Sequence, residues 1–206
     1  MEDEFVKILE KTRELSNSYS IRRLSLEEIC QKIGISKSTL HKYVKNKTQL
    51  VEEALKYERQ QFEDIFLTND FENTNAIDIL FAVSLEVCHR FNIVSPSVTF
   101  DLAKYYPDVY RKHIDSRTEY IFEKIKINIE KGIRQGMYRS DFSIELIARL
   151  YISRLLDIHN PEFFPREKYS FSMLFEVMFE NFVRSIGTLE GIAYFEERKA
   201  SIKFEI

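Results

Sequence analysis

The chain has 206 residues, of which only 5 are Gly and 4 are Pro; at roughly 4% together, against about 12% in an average protein, they are too few for an all-β fold with its many tight turns, so long helices are expected. A hydrophobic share of 44% excludes wholesale disorder, the longest apolar stretch (76–87) is broken by Asp78, Ser84 and Glu86 and falls short of the ~20 residues of a membrane span, and the Met-Glu-Asp-Glu opening lacks the layout of a signal peptide, so a soluble cytoplasmic chain is expected. A net charge of −3 argues against nucleic acid as a partner if evenly spread, but Lys11 to Lys47 holds nine basic residues against three acidic ones, a net of +6 that leaves −9 on the rest, and a basic quarter on an acidic body is either the footprint of a phosphate-binding face or simply a solvated charged face.

In chain order, Phe5, Ile8, Leu9, Thr12 and Leu15 keep the i, i+3, i+4 spacing of an amphipathic helix that ends in the Ser-rich run 16–20. A short helix over 25–33 follows. Ser25 is its N-cap, Glu27 and Glu28 occupy the first turn, and Gly34 is its stop. Ser36 caps a third helix predicted over 37–44, and Asn46 with Gln49 opens a long helix reaching about Asn69. Two apolar segments, 76–91 and 97–106, are separated by Pro96 and closed by Pro107. Ile114, Ile121, Ile125, Ile129 and Ile133 then mark a helix of some 25 to 30 residues that stops near Gly136. The last two helices, near 144–158 and 169–187, carry apolar residues on more than one face: Leu146, Leu150 and Leu156 widen the first, Leu174, Phe179 and Val183 the second. Such helices bury more than one side, and a second copy of the protein on the outer side is the plainest solution. Beyond Gly191 no element is assigned. Cys30 and Cys88 both lie in apolar helical patterns, where a free thiol behaves as a small hydrophobe.

Residues 24–47 carry the chemistry. They are laid out as a helix-turn-helix, in which Ile29, Ile33, Ile35 and Leu40 point inward and Gly34 permits the sharp turn. The second helix displays Lys37, Ser38, Thr39, His41, Lys42 and Tyr43, the small, polar, basic and aromatic groups that reach base edges and phosphates in a major groove. Here the sequence resembles the TetR-type bacterial transcriptional regulators: Ser25, Ile29, Gly34, Ile35, Ser36, Thr39, Leu40, Lys47 and Leu50 match the family's N-terminal signature, with Ser20, Cys30, His41 and Val44 as departures. The resemblance is specific over about residues 5 to 57. It implies an all-α chain, with an N-terminal three-helix helix-turn-helix domain (1–57) joined by a long helix to a helical effector-binding and dimerisation domain (58–206). It further implies that Lys37, Ser38, Thr39 and Lys42 face bases or phosphates and that Tyr43 and Lys47 hold the backbone. Ser25 caps its helix and can donate to a phosphate, Ser36 either caps alone or does both, and His41 stands where the family commonly touches the DNA backbone.

Rival chemistries fit less well. Glu86-Val-Cys-His89 has the Glu-x-x-His spacing of helical di-iron proteins, but a di-iron site needs a second copy and no other histidine supplies one. With no Gly-x-Ser-x-Gly elbow and no phosphate loop, no catalysis, metal or cofactor is expected. The aromatic and histidine residues Phe81, His89, Phe91, Phe100, Tyr105, Tyr106, Tyr110 and His113 either line a cavity for a small apolar or amphipathic effector or are simply core. Two readings stay open: a homodimeric repressor released from a palindromic operator on double-stranded DNA by such an effector, and a DNA-binding dimer controlled by a protein partner.

Overall fold

The computed structural model describes residues 3–68, 71–91, 96–158, 160, 162–165 and 167–201. They are all-α. The helices are α1 (Asp3–Ser18), α2 (Leu26–Ile33), α3 (Lys37–His41), α4 (Lys47–Thr68), α5 (Ala76–Phe91), α6 (Pro96–Tyr105), α7 (Pro107–Arg134), α8 (Ile144–Asp157), α9 (Phe171–Ile186) and α10 (Leu189–Ser201), with a 3-10 turn at Ile21–Arg23. Asn69, the expected end of α4, lies outside the described residues. Among the described residues no helix is long and apolar enough to cross a membrane, and no group of three or more His, Cys, Asp or Glu is placed to hold a metal.

Two elements, α3 and α10, differ from expectation. Helix α3 ends at His41 rather than Val44, because its last turn tightens: the amides of Lys42 and Tyr43 bond the carbonyls of Thr39 and Leu40, three residues back, and Val44 is thereby turned into the core. Helix α7 has the expected length, 28 residues, and begins at Pro107, since a proline lacking its N–H loses nothing at the first helical position. The thirteen-residue α10 stands where no element was assigned. One aromatic, Phe195, is its deeply buried anchor, and ion pairs from Arg198 to Asp78 and from Lys199 to Glu176 and Glu180 complete its attachment, so little apolar periodicity shows in the sequence.

The chain packs as two compact units. One compact unit comprises 1–64 and 93–117, the other 65–92 and 118–206. In the first, Phe5, Ile8, Leu9, Ile29, Ile33, Leu40, Val44, Leu50 and Leu55 form a core that also takes in Leu102 of α6, with Val98, Tyr106 and Val109 packed against it. Ser20 Oγ donates to Asp101 Oδ2 of α6, and Arg22 lies 4.1 Å over the Tyr105 ring while its Nη1 donates to the Tyr105 hydroxyl at 2.6 Å.

The second unit is centred on three mutually packed rings. Phe81 stacks on Phe195 at 5.3 Å and meets Phe179 edge-on at 5.2 Å, and Phe179 meets Phe195 at 5.7 Å. A Cβ at Gly191 would lie 2.0 Å from the Met137 carbonyl oxygen, so glycine is required for α10 to approach the chain there. Among the described residues, four apolar side chains of α8 and α9 stay more than half exposed: Leu146 (62%), Leu150 (57%), Met173 (54%) and Val177 (60%).

Candidate nucleic-acid interface

The helix-turn-helix is assembled by local chemistry before any partner is involved. Ser25 Oγ accepts from the Glu28 amide at 3.2 Å while Glu28 Oε2 accepts from the Ser25 amide at 2.7 Å, a reciprocal pair that satisfies two otherwise unbonded donors at the start of α2. That hydrogen bonding holds the Glu28 carboxyl below its usual range. At the other end of α2, Gly34 takes φ +78°, a left-handed conformation open to glycine with little strain, and its amide closes on the Cys30 carbonyl. Lys11 Nζ donates to the Ile33 carbonyl at 3.0 Å, placing a cation at the negative end of the helix. Two residues past the glycine, Ser36 Oγ accepts from the Thr39 amide at 3.0 Å and lies 2.8 Å from the hydroxyls of both Ser38 and Thr39. The turn and the caps thus set α3 against α2 with Ile29, Ile33 and Leu40 buried between them.

What α3 leaves outside is polar. Lys37, Ser38, Lys42 and His41 are exposed, as is Ser36. Several of these groups already have partners within the unit. Lys37 Nζ is paired with Glu27 Oε1 of α2, and this bond, its largest influence, holds the Glu27 carboxyl below its usual range. His41 Nδ1 lies 3.2 Å from the Val44 carbonyl oxygen. The Tyr43 ring stacks on Phe5 at 4.7 Å, and its hydroxyl donates to Glu4 Oε2 at 2.7 Å. Lys47 Nζ donates to the Arg22 carbonyl at 2.9 Å, and burial pushes its ammonium below the usual range against the opposing pull of Glu28 and Asp101. The start of α4 is capped as expected, Asn46 Oδ1 accepting from the Gln49 amide at 2.9 Å. Gln49 Oε1 then accepts from the Lys45 amide at 2.7 Å rather than from Asn46 itself.

All nine residues singled out for DNA therefore fall in one compact unit, on the edges of α2, α3 and α4. Arg22, left out of that set, is brought against Lys47 through its carbonyl. The available signal was two consecutive arginines, Arg22 and Arg23, directly before the capped helix. Glu4 and Glu27 were likewise missed as partners of the recognition segment, because a carboxylate in a helix's first turn already has a sufficient reason in the helix dipole.

The residues singled out for an effector do not come together in the same way. Phe81 sits in the aromatic core of the second unit, and His89 is exposed on α5. In the first unit Phe100 is 61% exposed, Tyr105 holds Arg22, and Tyr106 and Tyr110 pack against the core. His113 is buried, its Nδ1 accepting from Arg59 Nη1 at 3.1 Å. The Phe91 side chain lies outside the described residues. A cavity of about 50 Å³ lies in the first unit, lined by Thr12, Ile21, Val51, Leu55, Val98 and Leu102 among others. At roughly 10–15 Å³ per water it has room for a few solvent molecules, and none of the effector candidates lines it.

Residues 8–54 match the family model of bacterial regulatory proteins of the tetR family. Over 133 residues, 64% of this chain and 68% of the relative, the sequence is 24% identical to the HTH-type transcriptional regulator NfxB of Pseudomonas aeruginosa. The fold is similar to that of a TetR transcription regulator from Haloarcula marismortui, with a TM-score of 0.73 at 15% identity, covering 91% of this chain and 100% of the other. It is also similar to the fatty acid degradation regulator FadR from Bacillus halodurans, with a TM-score of 0.70 at 13% identity over 89% and 96% of the two chains. The capped helix-turn-helix of residues 8–54 is that of the tetR-family bacterial regulatory proteins, and the all-helical chain as a whole is folded like solved TetR-type transcriptional regulators, which supports a TetR-type regulator.

Proposed function

We propose that the protein is a homodimeric repressor whose two α3 helices enter successive major grooves of a palindromic operator, about 34–36 Å apart. The observation that supports it most is the rigidly capped α3, whose outward side chains are hydroxyls and cations while its apolar residues are all spent on the core. In this reading Lys37, Ser38, Thr39 and Lys42 meet base edges and phosphates. Ser25, Ser36, His41, Tyr43 and Lys47 hold the backbone. Dimerisation through α8 and α9 would cover Leu146, Leu150, Met173 and Val177, an apolar patch of the sort that marks a protein interface. A small apolar or amphipathic effector then favours a conformation whose paired heads no longer match the operator, and it acts only through a difference in affinity between the two conformations.

A second reading is control by a protein partner in place of a small effector. Retardation of the gene's own upstream DNA at low salt tests the DNA reading. Wild-type protein should bind, and Lys42→Ala with Lys47→Ala should abolish binding without altering the dimer; unchanged binding would place the interface elsewhere. A thermal-shift screen of small apolar compounds separates the two modes of control, because a ligand that binds only the native state raises Tm.

A further inference from the structure

Lys37 and Tyr43, two of the side chains that this reading assigns to DNA, are each held by a carboxylate of a different helix. Glu27 in the first turn of α2 pairs with the Lys37 ammonium. Glu4 in the first turn of α1 accepts from the Tyr43 hydroxyl at 2.7 Å, with the ring clamped on Phe5. Both carboxylates occupy the position that a phosphate oxygen would take if the same two groups donated to a nucleic-acid backbone. A hydroxyl has one proton to give, so Tyr43 cannot donate to Glu4 and to a phosphate together. A phosphate bound by either group would also stand within a few ångströms of an uncompensated carboxylate.

We propose that Glu4 and Glu27 are built-in competitors of the DNA phosphates, and that they set the affinity and salt dependence of operator binding by occupying Tyr43 and Lys37 until DNA displaces them. The arrangement lowers affinity for every sequence alike, because what is displaced is a contact to the backbone and not to a base. It therefore weakens non-specific binding, which is almost wholly electrostatic, while base contacts from Ser38 and Thr39 keep their discrimination. The Lys37 charge, compensated in the free protein, releases fewer counterions when it meets a phosphate than an unpaired lysine would. The salt slope should accordingly be shallower than a count of basic residues suggests. Helix-dipole stabilisation alone would also explain an acid in each first turn, but it predicts no effect on DNA.

The inference rests on the DNA-binding reading of α3, and the experiment separates the two. The full chain and its Glu4→Gln, Glu27→Gln, Glu14→Gln and Lys42→Ala variants are titrated against a mixed-sequence duplex of about 30 base pairs across a salt series, with thermal melts to verify folding. Glu14 is an exposed carboxylate about 15 Å further along α1, so its variant reports the bare loss of one negative charge. Glu4→Gln and Glu27→Gln should each tighten binding by about threefold to tenfold, and Glu14→Gln by less than about twofold. Glu27→Gln should also steepen the salt slope by up to about one unit. Unchanged or weaker binding by a folded Glu4→Gln or Glu27→Gln protein overturns the proposal, as does an equal gain from Glu14→Gln. If Lys42→Ala weakens binding while the glutamine variants match wild type, the DNA face stands and the competitors fall. Should Lys42→Ala bind like wild type, the face itself has been misassigned.

Discussion

The two compact units expose opposite chemistry. In the first, the apolar residues of α1 to α4 and α6 are committed to the interior, and the outward edge of α3 is hydroxyl and cation. In the second, a dense aromatic centre coexists with leucine, methionine and valine left in the open on α8 and α9. A charged surface can wait in water at little cost, because water solvates it as well as a partner would. An apolar one is driven to association by the hydrophobic effect. The contrast points to a reversible, salt-sensitive encounter for the first unit and a lasting seal for the second.

Substitutions in the two units test that contrast, beginning with the largest effects. Phe81→Ala removes the ring shared by Phe179 and Phe195 and should cost about 3–5 kcal/mol of stability. Near-ultraviolet dichroism should show the second unit loosened while the first retains its cooperative melt. Leu150→Glu places a carboxylate in the apolar patch and should raise the dimer dissociation constant at least about a hundredfold, an uncompensated buried charge costing about 3–5 kcal/mol. A dimer that persists in sedimentation would remove the distinction between the two surfaces.

His113 makes the first unit the acid-sensitive one. Burial pushes its imidazole down to about 4, against opposition from Glu58 and with help from Arg117 and Arg59, and its Nδ1 is already accepting from Arg59. The unfolded chain takes up a proton near pH 6.5 that the folded chain refuses until about pH 4. Stability is therefore full above pH 6.5 and falls on acidification, by roughly 2 kcal/mol at pH 5. Melting curves of wild type and His113→Gln, which keeps an acceptor, should diverge over that window, the variant being flatter. Lys42→Ala should weaken DNA binding about tenfold and reduce the salt slope by about one, with no change in Tm. Smallest of all, Ser25→Ala should lower stability by about 1 kcal/mol through loss of the α2 cap.

Legibility followed the range of the interactions. Ser25, Gly34 and Ser36 act within four residues of themselves, so the helix-turn-helix could be written down from the sequence; of its inward set Ile29, Ile33 and Leu40 are buried, while Ile35 packs against the same core only partly buried. Helix α6 was visible as the apolar segment 97–106, but its packing on the N-terminal core depends on contacts some eighty residues apart, such as Ser20 with Asp101. No local pattern encodes that pairing. Helix α10 escaped for a different reason, since salt bridges to Asp78, Glu176 and Glu180 substitute for the apolar face that periodicity detects. That the nine candidate residues share one unit follows from their closeness in sequence, whereas the carboxylate partners Glu4 and Glu27 were not readable, each lying on another helix.

The brevity of α3 carries a consequence for how such proteins diversify. Five residues, held by one serine cap and one buried leucine, leave Lys37, Ser38 and Lys42 with almost no part in folding. Under the proposed DNA-binding reading, those positions could be exchanged without unfolding the head, so a new sequence preference would lie within single substitutions, reached along a path of nearly constant stability.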